Sequence, residues 1–129
     1  NGLNALIDTG GVGVGAGGSV AIQEQLGGVD GRFTSMHNFW IEVLVEAGVI
    51  FFILFLIWFI KSVIKLWIIA RSSKNKEIIY ISNSLFLSMI AFIPAAITSS
   101  STIYFFPMWV LFGLVQSLIL INAKITAEF

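Results

Sequence analysis

The side chains most capable of chemistry lie together in one short stretch of the chain. His37 is the only histidine, and Glu42 and Glu46 follow it at the start of a long apolar segment. An imidazole titrates near neutral pH and can act as a general base. Placing a carboxylate in a membrane segment costs free energy, and such residues commonly have a function. A lone histidine at a helix start is also commonly a hydrogen-bonded structural group, so the stretch predicts either a proton-transfer site or a structural junction.

Helical spacing separates the two acids from the histidine. Glu42 and Glu46 are four residues apart and share a helix face with Asn38. They form either a solvated face just above the lipid or the polar wall of a cavity. The nine residues from His37 to Glu46 place these two about half a turn out of phase on a regular helix. We therefore interpret Glu46 as a packing or positioning group.

Composition excludes several kinds of site. The chain has no cysteine, which excludes disulfides and thiolate metal sites, and one histidine provides no second nitrogen ligand. Carboxylate-only binding of Mg²⁺ or Ca²⁺ by Glu42 and Glu46 is a weak alternative. Seven basic and seven acidic residues give a net charge of zero, with no basic patch for nucleic acid. We expect no metal, no cofactor and no nucleic-acid partner.

A glycine-rich segment precedes the histidine, with Gly-Gly-Val-Gly-Val-Gly-Ala-Gly-Gly at residues 10–18. This density of glycine predicts a loop. Gly13, Gly15 and Gly18 match a dinucleotide-binding pattern, but no βαβ unit follows, so nucleotide binding is not expected. The loop is either a tight structural turn, which composition favours, or a set of N–H groups that bind an anion such as a diphosphate. Arg32 could clamp a phosphate beside it.

The composition is that of an all-α polytopic membrane protein. Hydrophobic residues make up 57% of the 129 residues, charged residues 11%, and the mean hydropathy is +0.96. Residues 1–36 are predicted to be a glycine-rich loop region in which 3–7 is either a helix end or a strand. Three transmembrane helices are predicted at about 39–60 (extending to 70), 78–97 and 106–123. The chain does not begin with methionine, and we expect it to be a piece of a longer protein.

Finer features of the later spans follow from single residues. Pro94 predicts a kink near the end of the second span, and Pro107 fits the first turn of the third. We expect the polar residues of the second span to face other helices instead of lipid; these are Ser82, Asn83, Ser84 and Ser88.

Basic residues predict the orientation in the membrane. Six of the seven fall on one side of the predicted spans: Lys61, Lys65, Arg71, Lys74, Lys76 and Lys124. The positive-inside rule places this side in the cytoplasm. The glycine-rich loop, Arg32 and His37 are then extracytoplasmic.

Taken together, three motifs resemble those of one bacterial family. They are Gly11-Val-Gly-Val-Gly-Ala-Gly17, then His37-Asn38-Phe39, then Glu46-x-Gly48 at the start of a long apolar helix. Their order and spacing resemble the O-antigen ligase/polymerase family. This family includes O-antigen ligases, Wzy-type polysaccharide polymerases, teichuronic acid polymerases and protein O-oligosaccharyltransferases. The resemblance covers about residues 1–60.

The resemblance implies a multi-pass glycosyltransferase of the GT-C type in the bacterial cytoplasmic membrane. Its donor would be a glycan on undecaprenyl diphosphate and its acceptor a glycan hydroxyl at the outer face, with no nucleotide sugar and no metal. His37 matches the catalytic histidine of the family, and Asn38 would position it or the substrate. Gly13, Gly15 and Gly17 would shape the nearby loop. Glu46 belongs to the family pattern, whereas the role of Arg32 rests on its chemistry alone.

Two departures from the family pattern bear on the subgroup. Ser35 stands where ligases often have a second histidine, which favours a polymerase, and Phe51 stands where a glycine is common. The chain would be the C-terminal part of the enzyme and inactive alone. Two other hypotheses stay open: a polysaccharide flippase or transporter in which Glu42, Glu46 and the serines line a path, and a non-enzymatic helix bundle.

Overall fold

The computed structural model of the chain describes residues 2–18, 38–98 and 106–127, and within these ranges the regular secondary structure is helical, with no strand. The described residues contain four helices: α1 (Gly2–Asp8), α2 (Phe39–Ser72), α3 (Lys76–Thr98) and α4 (Phe106–Ala127). The last three are long and apolar enough to cross a membrane. The expectation of an all-helical chain with three candidate spans is confirmed for the described residues.

The helix ends differ from the predicted ends mainly at α4. This helix continues past Lys124 to Ala127, where a stop at residue 123 was predicted. Lysine is a good helix former, and its charge is favourable beside the unpaired carbonyl groups of a last helical turn. Residues 3–7, left undecided by the sequence, lie in the helix α1. α3 continues through Pro94 to Thr98.

The helix that begins at residue 39 was predicted to be continuous, and this prediction is wrong at Gly48. Gly48 interrupts α2 with φ 85° and ψ 170°, a backbone conformation that is essentially restricted to glycine. α2 therefore consists of a short arm, residues 39–47, and a longer segment that begins at Val49. From Val49 to Ser72 this segment is about 36 Å long, which is sufficient to cross a hydrocarbon core of about 30 Å.

The chain forms two compact units. The first contains Asn1–Leu56 and Ala95–Tyr104, and the second contains Ile57–Pro94 and Phe105–Phe129. The first unit holds the glycine-rich loop and the Gly48 break.

A cluster of aromatic rings lies in the second unit, with Phe112 of α4 in the middle. Its ring centroid lies 5.1 Å from that of Trp58, 5.5 Å from Phe92 and 6.3 Å from Phe59. A polar contact lies in the same unit: the Gln116 amide nitrogen donates to Ser62 Oγ at 3.0 Å. Ser62 Oγ in turn donates to the Trp58 carbonyl at 2.9 Å, so this buried hydroxyl has both a donor and an acceptor.

The polar residues of α3 differ in their burial. Ser82 is fully buried, whereas Asn83, Ser84 and Ser88 are exposed in this chain. The hydroxyl groups of Ser84 and Ser88 donate to the carbonyl groups four residues earlier, on Tyr80 and Ser84. A serine hydroxyl can satisfy itself in this way on its own helix, which removes the need for a neighbouring helix.

Candidate functional site

The glycine loop, defined as residues 10–18, begins at a capped helix end. The Gly11 N–H donates to the Leu6 carbonyl and the Gly10 N–H to the Ile7 carbonyl, both at 2.9 Å. This is the Schellman arrangement, which requires a left-handed residue just after the helix. Gly10 supplies it with φ 64°. The short helix α1 therefore directs the chain into the glycine loop with a defined geometry.

Backbone hydrogen bonds join the glycine loop to the break in α2. The Val14 N–H donates to the Val45 carbonyl and the Gly15 N–H to the Glu46 carbonyl, both at 3.0 Å. In the other direction, the Val49 N–H donates to the Gly11 carbonyl at 3.0 Å. In an uninterrupted helix the Val49 N–H would donate to the Val45 carbonyl. The loop thus provides partners for helix groups that the break separates.

Two glycines make this close approach possible. A Cβ atom on Gly13 would lie 2.5 Å from the Glu46 carbonyl oxygen and 2.6 Å from the Gly48 nitrogen. A Cβ atom on Gly48 would collide with the Val12 carbonyl and lie 2.8 Å from the Gly11 oxygen. These neighbours are backbone atoms and cannot rotate away. Gly13 and Gly48 are therefore required by one and the same contact.

Gly15 and Gly17 are the other predicted substrate-binding glycines. Their positive φ angles favour glycine, whereas close packing does not require it. Their φ angles are 85° and 75°, but a Cβ atom on either would meet nothing within 4 Å. Within the described part of the chain, the N–H groups of Gly13, Ala16 and Gly17 make no hydrogen bond. The Gly15 N–H, by contrast, is bonded to α2 and is not available to an anion.

Asn38 starts α2 as its N-cap residue. Its side-chain oxygen accepts hydrogen bonds from the Trp40 N–H at 3.0 Å and the Ile41 N–H at 3.3 Å. Such a cap typically contributes about 1 kcal/mol to helix stability. The resemblance implies that Asn38 positions His37 or the substrate, and the structure gives its side-chain oxygen a capping role.

The two acids of the short arm are buried. Glu42 is 6% exposed and Glu46 is 8% exposed. They do not form a solvated face. Glu42 Oε2 has no hydrogen-bond partner within the part of the chain that the structure describes. An unpaired buried carboxylate is destabilising, so Glu42 is a stronger functional candidate than the sequence indicated. Its position three residues after Phe39 and one turn before Glu46, which places all three on one helix face, is the sequence pattern that could have identified it.

A mainly apolar groove of about 620 Å³ lies beside the break, within the first unit. One wall is the start of the glycine loop and the other is α2. Its lining residues are Gly10, Gly11, Val12, Ala47, Val49, Ile50, Phe51 and Leu54. The described residues also contain no group of three or more His, Cys, Asp or Glu side chains placed to hold a metal ion.

The structure brings together Gly13, Gly15 and the backbone of Glu46, and it places Asn38 at the start of the same arm. Arg32 and His37 lie outside the described residues, so the proton-transfer site and the phosphate clamp stay predictions. A scan of protein-family models, a search of curated proteins and a search of solved structures each found no match to this chain.

Proposed function

We propose that this chain is the C-terminal part of a membrane glycosyltransferase that polymerises or ligates undecaprenyl-diphosphate-linked glycans. One observation carries the proposal beyond the sequence resemblance. The glycine loop, one motif of the resemblance, docks on the part of α2 that contains another, Glu46-x-Gly48, through three backbone hydrogen bonds made by Glu46 and by the flanking Val45 and Val49. Segments about 30 residues apart in sequence thus form a single structural unit at the start of a long apolar helix.

In this proposal His37 acts on the acceptor glycan. Its imidazole takes the proton of the acceptor hydroxyl as the oxygen attacks the anomeric carbon of the donor sugar. A new glycosidic bond forms, the bond to the diphosphate breaks, and undecaprenyl diphosphate leaves with its negative charge. Arg32 and the N–H groups of Gly13 and Gly17 are suited by their chemistry to bind that diphosphate. Gly15 instead shapes the loop, because its N–H is already bonded to α2.

The proposed location is the bacterial cytoplasmic membrane, with the site at the outer face. Three candidate spans support a multi-pass membrane protein. Near the turn between α2 and α3, the Arg71 guanidinium lies 3.9 Å from the centroid of the Trp67 ring. Arginine and tryptophan are typical of the membrane interface, and the cluster of basic residues there favours the cytoplasmic side.

This orientation has a direct test. The chain has no cysteine, so Ser73→Cys introduces a single thiol in the turn between α2 and α3. We expect a membrane-impermeant maleimide to label it only after cell lysis. Thr9→Cys, in an exposed position at the end of α1, should be labelled in intact cells. Labelling of Ser73→Cys in intact cells would show that the turn faces the outside and that the proposed orientation is wrong.

Deletion of the protein distinguishes the proposed transferase from a flippase. Without a polymerase or ligase, lipid-linked repeat units should still reach the outer face and accumulate there without being joined. Without a flippase, the units should be retained at the cytoplasmic face. The measurement is enzymatic or lectin labelling of lipid-linked glycans in intact spheroplasts compared with lysed ones. Accumulation at the cytoplasmic face would reject the transferase.

A further inference from the structure

At Gly48, hydrogen bonds to the glycine loop replace hydrogen bonds within α2. In an uninterrupted helix the Val49 N–H would donate to the Val45 carbonyl. Here the Val49 N–H donates to the Gly11 carbonyl, and the Val45 carbonyl accepts from the Val14 N–H. The Glu46 carbonyl likewise accepts a hydrogen bond from the Gly15 N–H. The partners that the loop supplies are therefore ones that the helix could supply for itself.

A break at Gly48 without the glycine loop would leave backbone groups of α2 unpaired in apolar surroundings. Val45 is fully buried, and the residues that follow the break form an apolar helix long enough to cross a membrane. Away from water, an unpaired N–H or carbonyl group is strongly destabilising. If the glycine loop dissociates from α2, these helix groups can pair with each other once Gly48 adopts the helical conformation. The groups left behind on the loop, at Gly11, Val14 and Gly15, can bond to water instead.

We propose that the glycine loop and α2 form a two-state conformational device. In the docked state the loop is bonded to α2, and α2 is broken at Gly48. In the released state the loop is hydrated, and α2 is continuous from its Asn38 cap. The change moves the arm that carries Glu42 and Glu46 relative to the loop. The device depends on backbone geometry alone and does not rest on the proposed glycosyltransferase activity.

Gly48→Ala and Gly13→Ala test the device, because each prevents docking from one side of the contact. Alanine at Gly48 favours the helical conformation, and both substitutions place a Cβ atom against backbone. The measurement is hydrogen exchange of single amides in the full-length protein in lipid nanodiscs. We expect protection of the Val14 and Gly15 amides to fall at least about tenfold, while the Val49 amide keeps its protection because it rejoins the helix.

Gly17→Ala is the matched control in the same loop. Its φ of 75° is also positive, so the backbone strain is matched, but a Cβ atom there meets nothing within 4 Å and the residue lies after the three bonds to α2. We expect it to leave the Val14 and Gly15 amides protected. If Gly48→Ala and Gly13→Ala both lower the protection of the Val49 amide as well as that of Val14, the proposal is overturned. The Val49 N–H would then have formed no helical hydrogen bond after the loop dissociated. Unchanged protection at Val14 and Gly15 would also overturn the proposal.

A distance measurement gives an independent answer. Spin labels can be attached through Ile41→Cys and Ile53→Cys, which replace exposed residues on either side of the break. In a continuous helix the two Cα atoms are about 18 Å apart. We expect Gly48→Ala and Gly13→Ala to move the label distance to that of a continuous helix, away from the distance in the unsubstituted protein. The same distance in all three proteins would reject the second state.

Discussion

Replacing His37 with alanine in the full-length protein should lower transfer of lipid-linked glycan by about 10²–10⁴-fold, the usual contribution of a general base. The acceptor hydroxyl would lose the group that takes its proton, while the binding residues would remain. Unjoined lipid-linked units should accumulate at the outer face. The measurement is product length and amount on a gel at matched expression, together with the amount of lipid-linked units.

His37→Gln separates catalysis from structure. Glutamine can donate and accept hydrogen bonds but cannot take up a proton near neutral pH. If His37 is a base, His37→Gln and His37→Ala should be about equally inactive. If His37 only holds the helix start through hydrogen bonds, His37→Gln should retain most of the activity. Normal product from His37→Ala would remove the histidine from the mechanism.

The three long helices were predictable because their evidence is local. An apolar run of sufficient length has few structures open to it in a membrane, and the polar residues 71–77 separate two such runs. The break at Gly48 was not predictable in this way. A single glycine in an apolar helix is usually tolerated as helix. What stabilises the break is the glycine loop, which lies more than 30 residues earlier in the sequence.

The candidate site shows the same division between local and distant effects. The glycine-rich segment was predictable as a loop, but its docking partner was not, because the contact is made by backbone atoms that carry no sequence-specific pattern. Glu42 and Glu46 were predicted to share a face, but their burial depends on packing within the first unit. The roles of His37 and Arg32 rest on sequence and resemblance alone.

Packing of the second unit depends on shape complementarity more than on removal of apolar surface from water. Lipid tails are as apolar as a leucine side chain, so a buried ring gains little by transfer from lipid to protein. What it gains are close contacts that lipid reproduces poorly. Phe112 is 6% exposed and lies within 6.3 Å, between ring centroids, of Trp58, Phe59 and Phe92. The Trp109 ring lies 6.2 Å away, so removal of Phe112 leaves a cavity bounded by four rings.

Phe112→Ala should therefore lower the free energy of unfolding by about 2–3 kcal/mol, at or below the lower end of the range for buried aromatic residues because the transfer contribution is small. Phe106→Ala is the matched control: it removes the same ring from the same helix at a position that is 75% exposed, and should change stability by less than about 0.5 kcal/mol. The measurement is reversible unfolding in bicelles. Equal effects of the two substitutions would show that apolar surface, and not ring packing, stabilises this unit.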